Sequence, residues 1–143
     1  MDFLIRSRRL IESSAPPEVP HVVVSITSSP ADVARIPPSP ACLGILRLAF
    51  ADRDFPREGE GPEGLFSRED ARRIWDFVLA HREQARCVVL HCKAGVSRSP
   101  AVAAALARVL RGDDEEFFRR YGPNARVYRI LLDVYEAEYS DRG

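Results

Sequence analysis

The chain has 143 residues, 45% hydrophobic and 29% charged, which suits one globular domain over residues 1–143 with a core that needs no staples. Lys plus Arg equals Asp plus Glu at 21 each, so no net basic field argues for nucleic acid or for an anionic membrane surface. Three cysteines make an odd set without a disulfide framework, and no stretch has signal-peptide or bilayer-spanning character, so a reducing, cytoplasmic setting without membrane insertion is expected.

Residues 3–5 read as a short edge strand, and residues 7–13 as a helical turn after it. Pro16, Pro17 and Pro20 then punctuate the chain. Residues 21–26 (HVVVSI) form the clearest strand, β-branched and apolar on both faces, as an interior parallel strand should be. Residues 31–41 carry Pro37, Pro38 and Pro40, so at most a short helical turn fits there. Residues 43–50 alternate well enough for the next strand, and residues 51–66 make a loop rich in acids, proline and glycine.

Ser67 then reads as the N-cap of a helix, with Asp70 three residues on. Ile74, Phe77 and Val78 give that helix an apolar stripe running to about Gln84. Residues 86–90 contain a short apolar run that reads as a buried strand, and residues 101–110 are almost pure Ala, Val and Leu, a buried helix closed by Gly112-Asp113. A short helix follows over 114–120, and Val127, Ile130, Leu131, Val134 and Tyr135 mark a last amphipathic helix to about Glu138. Alternating strands and helices predict an α/β architecture, a central and mostly parallel sheet of about four to five strands flanked by helices.

Between the 86–90 strand and the 101–110 helix lies Leu90-His91-Cys92-Lys93-Ala94-Gly95-Val96-Ser97-Arg98-Ser99-Pro100. A strand, a tight turn and a helix start make an anion site, because the first helical N–H groups lack intrahelical partners. A thiol placed there ionises easily, since those N–H groups and Arg98 stabilise its negative form. Lys93 is also the only lysine of the chain, every other basic side chain except the histidines being arginine. The three histidines are scattered and no CxxC or HxxxH occurs, so no metal site is expected.

His91, Cys92, Ala94, Gly95, Ser97, Arg98 and Ser99 fill every fixed position of His-Cys-x-Ala-Gly-x-Ser-Arg-Ser. In this the chain resembles the cysteine-dependent protein tyrosine phosphatase superfamily, and within it the small dual-specificity and bacterial members. The resemblance is specific over residues 90–100 and holds only in outline elsewhere. It implies hydrolysis of phosphate monoesters, on phosphoproteins or other phosphate esters, through a cysteinyl-phosphate and without a cofactor; a monomer is expected. Five residues between Cys92 and Arg98 let the loop from Lys93 through Ala94, Gly95, Val96 and Ser97 wrap a tetrahedral phosphate with its N–H groups. Gly95 would supply a backbone angle that other residues resist. Arg98 would offer a bidentate fork, Cys92 would attack phosphorus, and Ser99 would hydrogen-bond the sulfur as it leaves. His91 would hold the loop through backbone hydrogen bonds.

The leaving oxygen needs a proton, which the superfamily takes from an aspartate on a loop upstream of the cysteine. Asp52, in Phe50-Ala51-Asp52, is the favoured candidate, with Asp54 in Asp54-Phe55-Pro56 the alternative. The Pro123-Asn124 step resembles the one before the last helix of dual-specificity phosphatases, so Asn124 would brace the signature loop, a role compatible with plain helix capping. The only glutamine, Gln84, lies upstream, so the downstream water-positioning glutamine of some members is absent. Lys93 beside the cysteine leaves a phosphoinositide or other small phosphate ester open as substrate. A rhodanese-like sulfurtransferase and a phosphate-binding pseudoenzyme remain rival readings. Cys87 and Cys42 could resolve an oxidised Cys92 only if the fold brought one of them near.

Overall fold

The computed structural model describes residues 1–142. Among these, strands β1 (Asp2–Ser7), β2 (His21–Thr27), β3 (Cys42–Ala49) and β4 (Cys87–Cys92) form one sheet in the order β1-β4-β2-β3. Every neighbouring pair is parallel, so the expected mostly parallel sheet is a fully parallel one of four strands. β2 and β4 lie inside the sheet and are buried along their whole length, which is why both read as unbroken apolar runs. β1 and β3 are the edges, and β3 shows the half-buried alternation of an edge strand.

Helices α2 (Arg68–His81), α3 (Arg98–Arg111), α4 (Glu115–Arg120) and α5 (Ala125–Glu138) share one core with Val22, Val24, Ile26, Val88 and Leu90 on one face of the sheet. The opposite face carries Val23, Cys87 and Val89, and is covered by Ile11 of α1 (Arg8–Ser13) and by Ile36 of the β2–β3 connection. α2 opens on a full capping box, Ser67 accepting from the Asp70 amide and Asp70 from the Ser67 amide. Its Trp75 is fully buried, and its indole N–H donates to the Leu131 carbonyl at 2.9 Å, tying α2 to α5. α3 is buried from Arg98 through Ala107 and ends at Gly112, whose φ of 79° is the left-handed closing conformation.

Several boundaries differ from the sequence expectation for reasons of pairing. β1 starts at Asp2 and ends at Ser7, and β4 runs on to Cys92, because Arg6 pairs with His91 and Ser7 with Cys92 in register. α3 begins at Arg98 rather than at residue 101; Pro100 sits in its first turn, where a missing N–H costs nothing. α2 stops at His81, short of Gln84. The 31–41 segment contains no helix, only two tight turns at its ends, closed by the Asp32 amide on the Ser29 carbonyl and by the Cys42 amide on the Ser39 carbonyl. It is instead pinned to the fold by the Arg35 amide on Glu12 and by Arg47 on the Ala34 carbonyl.

Candidate active site

β4 delivers Cys92 to the carboxyl edge of the sheet, where crevices of open parallel sheets take their ligands. The loop 93–97 then turns into α3, whose first residue is Arg98. Gly95 makes that turn possible twice over. Its φ is +72°, and a Cβ there would lie 2.9 Å from the backbone of Arg6 and Ser7, so only glycine fits between loop and β1. Three loop carbonyls are bonded outward: Lys93 accepts from the Arg8 amide at 3.1 Å, Val96 from Gly122 at 3.0 Å and Ser97 from Asn124 at 3.0 Å.

Cys92 is 2% exposed. Burial alone would raise the pKa of its thiol, yet the pKa is lowered, because the Ser99 hydroxyl, the Ser99 and Gly95 amides and the charge of Arg98 all favour the thiolate. The Ser99 Oγ lies 3.1 Å from the sulfur and the Ser99 amide 3.5 Å. Arg98 is buried too, with Nη1 donating to the Ser28 hydroxyl at 2.9 Å and to the Phe50 carbonyl at 3.0 Å. Its Nε is buried without a hydrogen-bond partner. One side of the guanidinium is therefore anchored to the ends of β2 and β3, while the Nε–H stays available as half of an anion-binding fork.

Asp52 and Asp54 are separated by their partners. Asp52 Oδ1 accepts from the Ser97 hydroxyl at 2.8 Å and from the Asn124 side-chain amide at 2.9 Å. Asp54 turns to the first turn of α5, where Oδ1 meets the Arg126 amide at 3.5 Å. Asn124 also caps α5 through the Val127 amide at 3.0 Å. A cavity of about 320 Å³, lined by Asp52, Asp54, Ser97 and Asn124, opens between the acidic loop and the start of α5. Lys93, Ala94 and Val96 are exposed on the loop.

His91 reaches across to the neighbouring strand. Its Nε2 lies 2.6 Å from the Ser25 hydroxyl on the adjacent strand, and its Nδ1 is buried without a hydrogen-bond partner. Burial pushes the imidazole pKa down to about 4, against the opposing pull of the Cys92 backbone beside it. His91 thus fixes β4 to β2 as a neutral ring, and the Arg8, Gly122 and Asn124 amides hold the loop carbonyls beyond it. Cys42 and Cys87 do not approach Cys92: both sit at the amino-terminal ends of their strands, and Cys92 ends β4. Burial, with Asp2 nearby, pushes the Cys87 thiol up to about 11, so it stays protonated and unreactive.

Ser25, Ser28, Gly122 and the Phe50 carbonyl were not legible as site groups. Ser25 left one trace, as the only polar residue inside the apolar run 22–26. Among the described residues no three His, Cys, Asp or Glu side chains gather as metal ligands do, and no helix is long and apolar enough to cross a membrane.

No protein-family model and no curated protein matches the sequence. Solved structures do. Human DUSP28 superposes with a TM-score of 0.65 at 19% identity, over 97% of this chain and 94% of that one. The fold is that of the dual-specificity phosphatases. Two further structures share it: the human tyrosine phosphatase-like serine/threonine/tyrosine-interacting protein, with a TM-score of 0.62 at 20% identity over 96% and 92% of the two chains, and PTPMT1 in complex with PI(5)P, with a TM-score of 0.59 at 18% identity over 99% and 95%. The dual-specificity phosphatase fold extends the resemblance seen in residues 90–100 to nearly the whole chain.

Proposed function

We propose that the protein is a phosphate monoester hydrolase of the dual-specificity type, acting through Cys92. The observation that carries this reading is the buried Cys92 sulfur, its pKa lowered by Ser99, Gly95 and Arg98 at the head of α3. The Cys92 thiolate attacks phosphorus in line, forming the P–S bond as the P–O bond to the leaving group breaks. Arg98, held from behind by Ser28 and Phe50, takes two equatorial oxygens and the charge that builds on them. Asp52 protonates the departing oxygen and then, as carboxylate, takes the proton of the water that attacks the cysteinyl-phosphate. Its bond to Ser97 of the loop supports this role over Asp54, whose carboxylate is directed to α5. Ser99 receives the returning sulfur as a hydrogen-bonded thiolate.

A shallow mouth fits a relaxed choice among phosphorylated side chains. Val96 on the loop is 51% exposed, and the 31–41 segment is drawn back toward α1 and β3. The substrate class is therefore phosphotyrosine together with phosphoserine or phosphothreonine. Exposed Lys93, next to the nucleophile, favours a second reading in which a phosphoinositide is hydrolysed, the kind of molecule with which PTPMT1 was solved.

The test is hydrolysis of phenyl phosphate, whose poor leaving group makes the acid matter, without added metal. Cys92→Ser abolishes turnover, Asp52→Ala lowers kcat by roughly 10²–10⁴, and Asp54→Ala stays close to wild type. Activity retained by Cys92→Ser would overturn the mechanism, and a large loss in Asp54→Ala alone would move the acid. Phosphopeptides and a phosphoinositide compared on the same enzyme separate the two substrate readings.

A further inference from the structure

On the face of the sheet opposite α2–α5 lies a cavity of about 200 Å³, lined by Leu4, Ile11, Val23, Ile36 and Val89. It has no part in the phosphatase reading. Its residues lie behind the sheet, and none of them belongs to the 92–99 loop. Buried His21 and half-buried Ser14 are polar in this mostly apolar lining, and one guanidinium enters it, that of half-buried Arg6. Its Nη1 donates to the Ile5 carbonyl at 3.0 Å, and among the described residues no carboxylate lies within ion-pair distance of it. A guanidinium at an apolar cavity without an acid is an unmet charge, costly to desolvate unless an anion joins it.

From this we infer that the cavity is a binding site for a small aryl or short-chain alkyl monocarboxylate, its carboxylate on Arg6 and its hydrocarbon body against Val23 and Val89. Size sets the body. A cavity of about 150 Å³ holds benzene, so 200 Å³ holds a ring with a carboxylate, well below the volume that drug-sized ligands need. Charge sets the head. The planar arginine fork matches a carboxylate, whereas the only other basic side chain in the lining, His21, already has its Nδ1 on the Val19 carbonyl at 2.9 Å and leaves a phosphate dianion with one guanidinium.

The probes are benzoate and its uncharged counterpart benzyl alcohol, titrated into the full ¹⁵N-labelled chain. Benzoate binds at least tenfold tighter than benzyl alcohol, with amide shifts centred on Leu4, Val23 and Val89. Arg6→Gln removes that tenfold preference, and Ile36→Trp, which fills the cavity from the β2–β3 connection, weakens both ligands. Saturating inorganic phosphate, a ligand for the Cys92 loop, leaves the benzoate affinity unchanged. Equal binding of the two probes by the wild-type chain overturns the proposal without any variant. So do shifts confined to residues 93–98, displacement of benzoate by phosphate, or no saturable binding at all.

Discussion

The chemistry of the site turns on how one hydroxyl treats one sulfur. Burial works against the Cys92 thiolate, and the Ser99 side chain is the strongest of the groups that oppose it. Removing that hydroxyl in Ser99→Ala takes away a hydrogen bond to a charged acceptor, so the thiol pKa rises. At pH 6, alkylation of Cys92 by iodoacetamide slows on the order of tenfold relative to wild type, and the acidic limb of kcat/KM moves to higher pH. Ser99→Thr, which keeps the hydroxyl, restores both. An unchanged alkylation rate in Ser99→Ala would mean that the amides and Arg98 suffice. Cys92, Arg98 and Ser99 could be read from the sequence because they are spaced along one short loop. The groups that aim them could not: Ser25 meets His91 across 66 positions, and Ser28 meets Arg98 across 70. Only packing of β2 beside β4 brings them together.

At the scale of elements, α3 decides whether Arg98 reaches its place. Its buried stretch carries alanine at 101, 103, 104, 105 and 107, side chains short enough for the helix to lie close to the sheet and α5. The alanine run announced a buried helix in the sequence. What it could not announce was the start, because the Arg98 turn is helical only once Asn124 and Gly122 hold the loop carbonyls before it. The same limit applies to the 31–41 segment, whose extended path is set by Glu12 and Arg47 from elsewhere in the chain. Ala104 is fully buried, so Ala104→Leu overpacks the interface and lowers unfolding stability by about 1–3 kcal/mol. Urea denaturation checks it, with the midpoint falling and the m-value unchanged. Because the helix carries Arg98 at its head, kcat/KM falls with it; a midpoint equal to wild type would show that α3 has room to spare.

For the molecule as a whole, two buried groups bracket the pH range in which the fold is most stable. His91 has a pKa of about 4 in the fold against an ordinary 6.5. Between those values the unfolded chain binds the proton and the folded chain does not, so stability is full above pH 6.5 and is lost as pH falls toward 4. Cys87 runs the other way, with a pKa of about 11 in the fold against 9.0. The unfolded thiol ionises first there, so stability is full below pH 9 and declines as pH rises toward 11. Each group accounts for about 3 kcal/mol at the far end of its window, at about 1.36 kcal/mol per pH unit. Chemical denaturation from pH 4 to 11 should therefore give a loss of stability below about pH 6.5 and another above about pH 9, with a rise toward pH 9 between them because the Cys92 thiol ionises earlier in the fold than in the unfolded chain. His91→Asn flattens the acidic slope and Cys87→Ala the alkaline one, each leaving the other in place. The two titrations are independent because the groups stand four residues apart along β4 and face no common partner; equal slopes in wild type and either variant would assign that limb to other groups.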